Sequence, residues 1–158
     1  WSFTATDLSA TMLEKAKQYI QPLDALHRVE FVLADVDQLK TEQTYDAALS
    51  ILVTHFVPYA QKLNFFKAID SRLKQHGVFI GFDLTAMKTD QERGMLQHIC
   101  ETNGLSTAQS TAMLSRLADD FYPLSEQETF EQLSLAGFGS VQRFTQILSY
   151  QGFMALKV

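Results

Sequence analysis

Tyr45-Asp-Ala-Ala-Leu-Ser-Ile-Leu-Val53 is the stretch on which the fold turns. Asp46 and Ser50 alone interrupt an otherwise apolar run. Such a run, too short for a helix of ordinary length, predicts a strand buried on both faces, as in a parallel sheet. Two more strands flank it. Val29-Glu-Phe-Val-Leu33 precedes it and ends at Ala34-Asp35, and Gly77-Val-Phe-Ile-Gly-Phe82 follows it and ends at Asp83. A fourth short segment, Ser2–Thr6, contains β-favouring Phe3 and Thr4 and ends at Asp7.

Helical patterns fill the spaces between the strands. Ser9 or Thr11 can cap the first of them, Thr11-x-x-Glu14 has the form of a capping box, and Pro22 stops it. Met12, Leu13, Ala16, Tyr19 and Ile20 form its apolar stripe. Leu63–Leu73 is amphipathic, with Gln75-His-Gly77 placed to close it on a glycine. Ala86–Asp120 holds no strand pattern and predicts two helices broken near Asn103-Gly104. Ser125-x-x-Glu128 is a second capping box and opens a helix that ends at Ala136-Gly137. Ser140–Ser149 and Gly152–Val158, joined by Tyr150-Gln151, predict an antiparallel pair because the connection is so short. The alternation specifies an α/β fold, a mainly parallel sheet with helices on both faces, closed by an antiparallel hairpin. Such sheets bind ligands at the carboxyl ends of their strands. Here those ends carry Asp7, Asp35, Thr54 with His55, and Asp83.

The totals narrow the classes of function. The chain has 158 residues, enough for a single domain with a real core. With 46% hydrophobic and 20% charged residues it has the composition of an ordinary globular protein. A net charge of −5 and scattered lysines and arginines argue against nucleic acid or an anionic membrane as partner. The one cysteine, Cys100, allows no internal disulfide and fits a cytoplasmic setting. The four histidines are isolated from one another, so no metal is expected.

Five segments together resemble the class I S-adenosylmethionine (SAM)-dependent methyltransferases, of the type that acts on small molecules. They are Thr6-Asp-Leu-Ser9 with Met12-Leu13 and Ala16, then Val29-x-Phe31 with Ala34-Asp-Val36, and Tyr45-Asp46 with Ser50, Val53 and His55-Phe-Val-Pro58. The remaining two are Leu73-Lys74 with Gly77-Val-Phe-Ile80, where Gln75-His76 replaces the family's Pro-Gly, and Leu133 with Ala136-Gly-Phe138 before the hairpin. The resemblance covers almost the whole chain and implies a Rossmann-like fold. A nicotinamide-binding domain, the more distant alternative, shares the acidic residue after the second strand but does not end in such a hairpin.

The resemblance also implies roles. Asp7 accepts the hydroxyls of the SAM ribose, Leu8 and Met12 flank the adenine, and Asp35 accepts from the adenine amine beside the Val36 backbone N–H. Ile51 and Leu52 open a loop that runs to Tyr59 and passes the methionine moiety. Each has a plainer reading: Asp7 as a loop aspartate capping the next helix, Met12 as helix core, and Asp35 as a solvated turn residue. His55 is a weak candidate for a catalytic base, and Asp83 either caps the next helix or faces the substrate. The 86–120 insert stands where small-molecule methyltransferases carry a lid. With Asp119-x-Phe121-x-x-Leu124-Ser125 it also resembles the carboxy-SAM synthase branch, in which a cation such as Arg116 would meet a carboxylate.

The family's glycine-rich turn would fall about 20 residues before Asp7 and so before Trp1. The donor site is therefore expected to need an upstream segment, or a second copy of the chain covering the gap in the sheet. The expected activity is methyl transfer from SAM to a small-molecule acceptor. The alternative is a non-catalytic remnant of the fold that binds a partner.

Overall fold

The computed structural model describes residues 1–40 and 42–158, without the side chains of 118 and 119. The chain divides into two compact units, residues 1–43 and 44–158.

The first unit is a strand–helix–strand element: β1 (Phe3–Asp7), α1 (Ala10–Ile20) and β2 (Val29–Leu33). β1 and β2 pair in parallel, in register from Phe3 opposite Val29 to Asp7 opposite Leu33. Ser9 caps α1, its hydroxyl accepting the Met12 N–H at 3.3 Å. Thr11 therefore lies inside the first turn, and the capping box expected at Thr11 and Glu14 gives way to the earlier cap. Pro22 ends the helix as expected, within the 3-10 turn Gln21–Leu23, and Asp24 then takes left-handed φ of 51°. Of the apolar stripe only Leu13 is buried.

The second unit is built on a four-stranded sheet. Its elements are β3 (Tyr45–Ile51), α2 (Tyr59–Arg72), β4 (Leu73–Leu84), α3 (Asp90–Thr102), α4 (Thr107–Asp119), α5 (Glu126–Ala136), β5 (Phe138–Ile147) and β6 (Tyr150–Lys157). The strand order is β3-β4-β6-β5; β3 and β4 run parallel, while β6 is antiparallel to both of its neighbours.

One face of the sheet is covered. Phe66 of α2 lies 6.0 Å from Phe79 of β4, and Phe130 of α5 lies 5.8 Å from Phe153 of β6, ring to ring. The other face is open: Leu49 is 63% exposed and Ile51 50%, with Met154 and Leu156 exposed beside them. The expectation that Tyr45–Val53 is buried on both faces is thus corrected. β3 ends at Ile51, is the end strand of this sheet, and buries Ser50 while Leu49 and Ile51 are exposed.

Two turns also differ from the expectation. Gly77 does not close α2, which ends at Arg72 with Leu73 already extended. The register jumps from Tyr45 opposite Leu73 to Ala47 opposite Val78, so residues 74–77 bulge. Within the bulge His76 takes the left-handed φ of 63°. Gly77 is needed for close approach instead, since a Cβ there would stand 2.8 Å from the Lys74 carbonyl and 3.3 Å from that of Asp46. The hairpin turns at Leu148-Ser149, with Leu148 left-handed at 53°, and not at Tyr150-Gln151. Those two residues belong to β6, opposite Leu84 and Asp83 of β4.

The insert does form two helices broken at Asn103 and Gly104, the latter at φ 102°. Leu96, Leu114 and Leu117 bury against Leu84 at the end of β4. Thr89, not Asp83, caps α3, with its side chain accepting the Glu92 N–H. Ser125 and Glu128 form the capping box expected for α5.

Candidate functional site

In the first unit the parallel register brings two carboxylates to one edge. Asp7 is the last residue of β1 and pairs with Leu33, while Asp35 follows the end of β2 by two residues. The Thr6 hydroxyl donates to the Ala34 carbonyl and ties the two strand ends together. Asp7 Oδ1 accepts the Ser9 N–H at 2.7 Å, which fixes the carboxylate against the start of α1. Asp35 Oδ1 accepts the Val36 N–H at 2.6 Å, and the Asp35 N–H is held by Gln38 Oε1 at 2.9 Å in a capping box. The Val36 N–H is therefore spoken for by Asp35 itself, which leaves the Asp35 carboxylate as the group at this turn able to meet a ligand. Leu8 is 71% exposed and Met12 52%, so Met12 is not helix core and both present apolar surface beside Asp7.

In the second unit the carboxyl ends of β3 and β4 meet in a buried polar cluster. Leu52 takes left-handed φ of 57°, its N–H donating to the Phe82 carbonyl at 2.8 Å. The chain then enters a 3-10 turn, Thr54–Phe56. Asp83 holds this turn with both oxygens: Oδ2 accepts the Thr54 N–H, and Oδ1 accepts from His55 Nδ1 and from the Leu84 N–H at 2.7 Å. Because a carboxylate only accepts, His55 carries its proton on Nδ1. Its Nε2 has no protein partner among the described residues and is not sealed from solvent.

Lys62 of α2 reaches the same turn from the other side. It is fully buried, and its Nζ donates to the Thr54 carbonyl at 2.6 Å. Burial pulls the Lys62 ammonium down from an ordinary 10.5 to about 8, an effect that the nearby Asp83 opposes. Thr54 thus has its N–H on an anion and its carbonyl on a cation.

An aromatic cluster closes over His55. Its ring lies 4.2 Å from Phe56 and 4.9 Å from Phe121, while its carbonyl accepts the Tyr122 N–H at 2.7 Å. Tyr59 packs edge-on against Tyr122 at 5.5 Å and its hydroxyl donates to the Pro123 carbonyl. Behind the cluster Thr54, Lys62, Asp83, Thr85 and Thr129 line a cavity of about 20 Å³, room for one water and not for a substrate. Ile51, the last residue of β3, and Leu52 after it are half-exposed. Arg116 lies far out on α4, exposed, with its Nε 3.1 Å from Asp120 Oδ2. The Asp119 side chain of the 119–125 motif lies outside the described residues.

A family model described as "Methyltransferase domain" matches residues 1–77. The first half of the chain is thus similar to methyltransferase domains. Carboxy-S-adenosyl-L-methionine synthase of Pseudomonas aeruginosa is 28% identical over 95% of this chain and 64% of its own length. The namesake from Trichodesmium erythraeum is 21% identical over 96% of this chain and 61% of its own. The chain therefore spans just under two thirds of these curated relatives. An O-methyltransferase family 2 protein from Planctomyces limnophilus superposes with a TM-score of 0.71, covering all of this chain and 43% of that one at 17% identity. Magnesium protoporphyrin IX methyltransferase from Synechocystis, solved with S-adenosylhomocysteine (SAH), superposes at 0.63 over 98% of this chain and 63% of that one, at 19% identity. These superpositions establish a Rossmann-like α/β fold for the chain. The same Synechocystis enzyme has also been solved with SAM bound.

Two residues of this polar cluster, Asp83 and Lys62, have parts that the sequence does not show. Asp83 was placed in one of two roles and takes a third, holding the His55 turn. Lys62 was passed over altogether, although it stands at i−4 from Phe66 and i−7 from Ile69 on the buried stripe of α2. A cation at a stripe position was the signal.

Proposed function

We propose that the protein transfers a methyl group from SAM to a small-molecule acceptor. One observation carries the reading: Asp7 and Asp35 stand together at the carboxyl edge of two parallel strands paired in register. A ribose diol asks for a rigid pair of acceptor oxygens, and Asp7, held through Ser9, offers a fixed carboxylate. Asp35 addresses the adenine amine, with Leu8 and Met12 as apolar surface for the base. SAM brings its own activated methyl, so the protein's part is to hold donor and acceptor in line and keep water out. Within the second unit, α3 and α4 would form the lid over the acceptor.

In this reading His55 is the base for an acceptor that must lose a proton. Nδ1 is committed to Asp83, and the proton would pass to Nε2 as the acceptor's new bond to carbon forms. The reading is tested by titrating SAH and, in parallel, NADH into the protein by calorimetry. Heat with SAH alone supports it; heat with neither supports the non-catalytic alternative.

A second reading follows from the curated relatives, whose name describes synthesis of carboxy-SAM. Mass spectrometry of the nucleoside after turnover separates the two, since methyl transfer leaves SAH and the second reading leaves a carboxylated sulfonium. Arg116, paired with Asp120, gives that reading no carboxylate site on its own.

A further inference from the structure

Lys62 is a buried cation for which the methyl-transfer reading has no use, and it stands one peptide unit from the proposed base. The chain of contacts is short. Lys62 Nζ holds the Thr54 carbonyl, Asp83 Oδ2 holds the Thr54 N–H, and Asp83 Oδ1 holds His55 Nδ1. Lys62, His55 and Asp83 are all buried, so the charges of the first and last act on the imidazole through a medium that screens poorly. The other titratable groups around the turn are the phenols of Tyr59 on α2, Tyr122 before α5 and Tyr150 on β6, with the Cys100 thiol of α3 behind Tyr150. Of these, burial pushes the Tyr150 phenol up, away from its charged form. Lys62 and Asp83 are the charges that face His55 among the described residues.

Taken alone, a buried carboxylate bonded to an imidazole favours the imidazolium, which has no lone pair left to take a proton. A cation that offsets the carboxylate removes this bias. We propose that Lys62 is a positioning residue for His55: its ammonium compensates Asp83, so that His55 stays neutral, with Nδ1–H on Asp83 and the Nε2 lone pair free. The proposal rests on the reading of His55 as the base, but the protonation of His55 can be observed whether or not the protein methylates anything.

The experiment compares wild type, Lys62→Gln and Lys62→Met, each as the full chain. Glutamine keeps a donor for the Thr54 carbonyl and removes the charge, which separates compensation from hydrogen bonding. Imidazole nitrogen chemical shifts at pH 7 give the tautomer and the fraction of imidazolium directly. Wild type should show neutral His55 protonated on Nδ1, and Lys62→Gln should show a several-fold larger imidazolium fraction. A His55 signature in Lys62→Gln the same as wild type would overturn the proposal and leave Lys62 as a turn-holding donor only. So would a wild type that is already imidazolium at pH 7. Should Lys62→Met fail to fold, Lys62→Gln decides alone. If the shifts move as expected but SAH does not bind, the compensation stands and the methyltransferase reading is what fails.

Discussion

At the scale of single residues, Asp7 and Lys62 allow quantitative statements. Asp7 has two tasks, to hold the Ser9 N–H and, in the proposed function, to accept the ribose hydroxyls. Asp7→Ala removes both, and SAH affinity should fall by about 1.5–3 kcal/mol, the range for hydrogen bonds to a charged group. Asp35→Ala should cost less, because its contact is to a neutral, partly solvated amine. Calorimetry on the two variants checks the order; equal affinity for wild type and Asp7→Ala removes the ribose assignment. Lys62 sets a pH dependence whose sign follows from its depressed value of about 8 against 10.5. Below about pH 8 both folded and unfolded chains hold the proton, and the penalty for burying the ammonium is present in full. Between 8 and 10.5 the unfolded chain binds more protons, so stability rises with pH. The rise should be about 2 kcal/mol between pH 7.5 and 9.5, from about 1.4 kcal/mol per unit. Urea denaturation should show that rise in wild type and lose it in Lys62→Met. Asp7 and Asp35 were legible as candidates because strand ends in such sheets are where ligands bind. Lys62 was not, since a stripe residue is read for hydrophobicity and a lysine is assumed to reach solvent.

At the scale of elements, most of the order was open to reading and the turns were not. Val29–Leu33, the break at Asn103-Gly104 and the Ser125 box follow from local rules: β-branched runs, a left-handed glycine and a reciprocal cap. Gly77 misleads because a glycine after a helix resembles a cap, whereas here three-dimensional crowding by the Lys74 and Asp46 carbonyls explains it. The Thr11 box fails because Ser9 offers the same chemistry two residues earlier. The burial of β3 was misjudged because hydrophobicity reports what a strand can cover, not which of its faces has a neighbour. Ser125 affords the cleanest element test, since its hydroxyl accepts the Glu128 N–H while Glu128 holds the Ser125 N–H at 2.8 Å. Ser125→Ala should cost about 1 kcal/mol. That corresponds to a melting temperature roughly 2–4 °C lower for a chain of this size, measurable by calorimetric scan.

At the scale of the whole molecule, the two units differ in how much holds each together. Among the described core residues Leu13 is the one that belongs to residues 1–43; Phe66, Ile69, Phe79, Leu133, Phe153 and Ala155 are among those of 44–158. Hydrophobic burial is the main term favouring folding, and a two-stranded element with one buried leucine has little of it. The four-stranded sheet has two parallel or antiparallel neighbours for both β4 and β6 and a helix-covered face, so opening its centre exposes most of the core at once. Native-state amide exchange should therefore separate the units. The β1 and β2 amides are expected to exchange by local opening, at rates well above those of Phe79–Phe82 and Phe153–Ala155, which should exchange only on global unfolding. Added SAH sharpens the test, because a ligand held by Asp7 and Asp35 stabilises the state it binds in proportion to its saturation. Saturating SAH should slow exchange in β1 and β2 far more than in β4 and β6. Equal protection of all four strands without ligand would show that residues 1–43 are as firmly held as the rest. Slowing confined to β4 and β6 would move the donor site away from the paired aspartates.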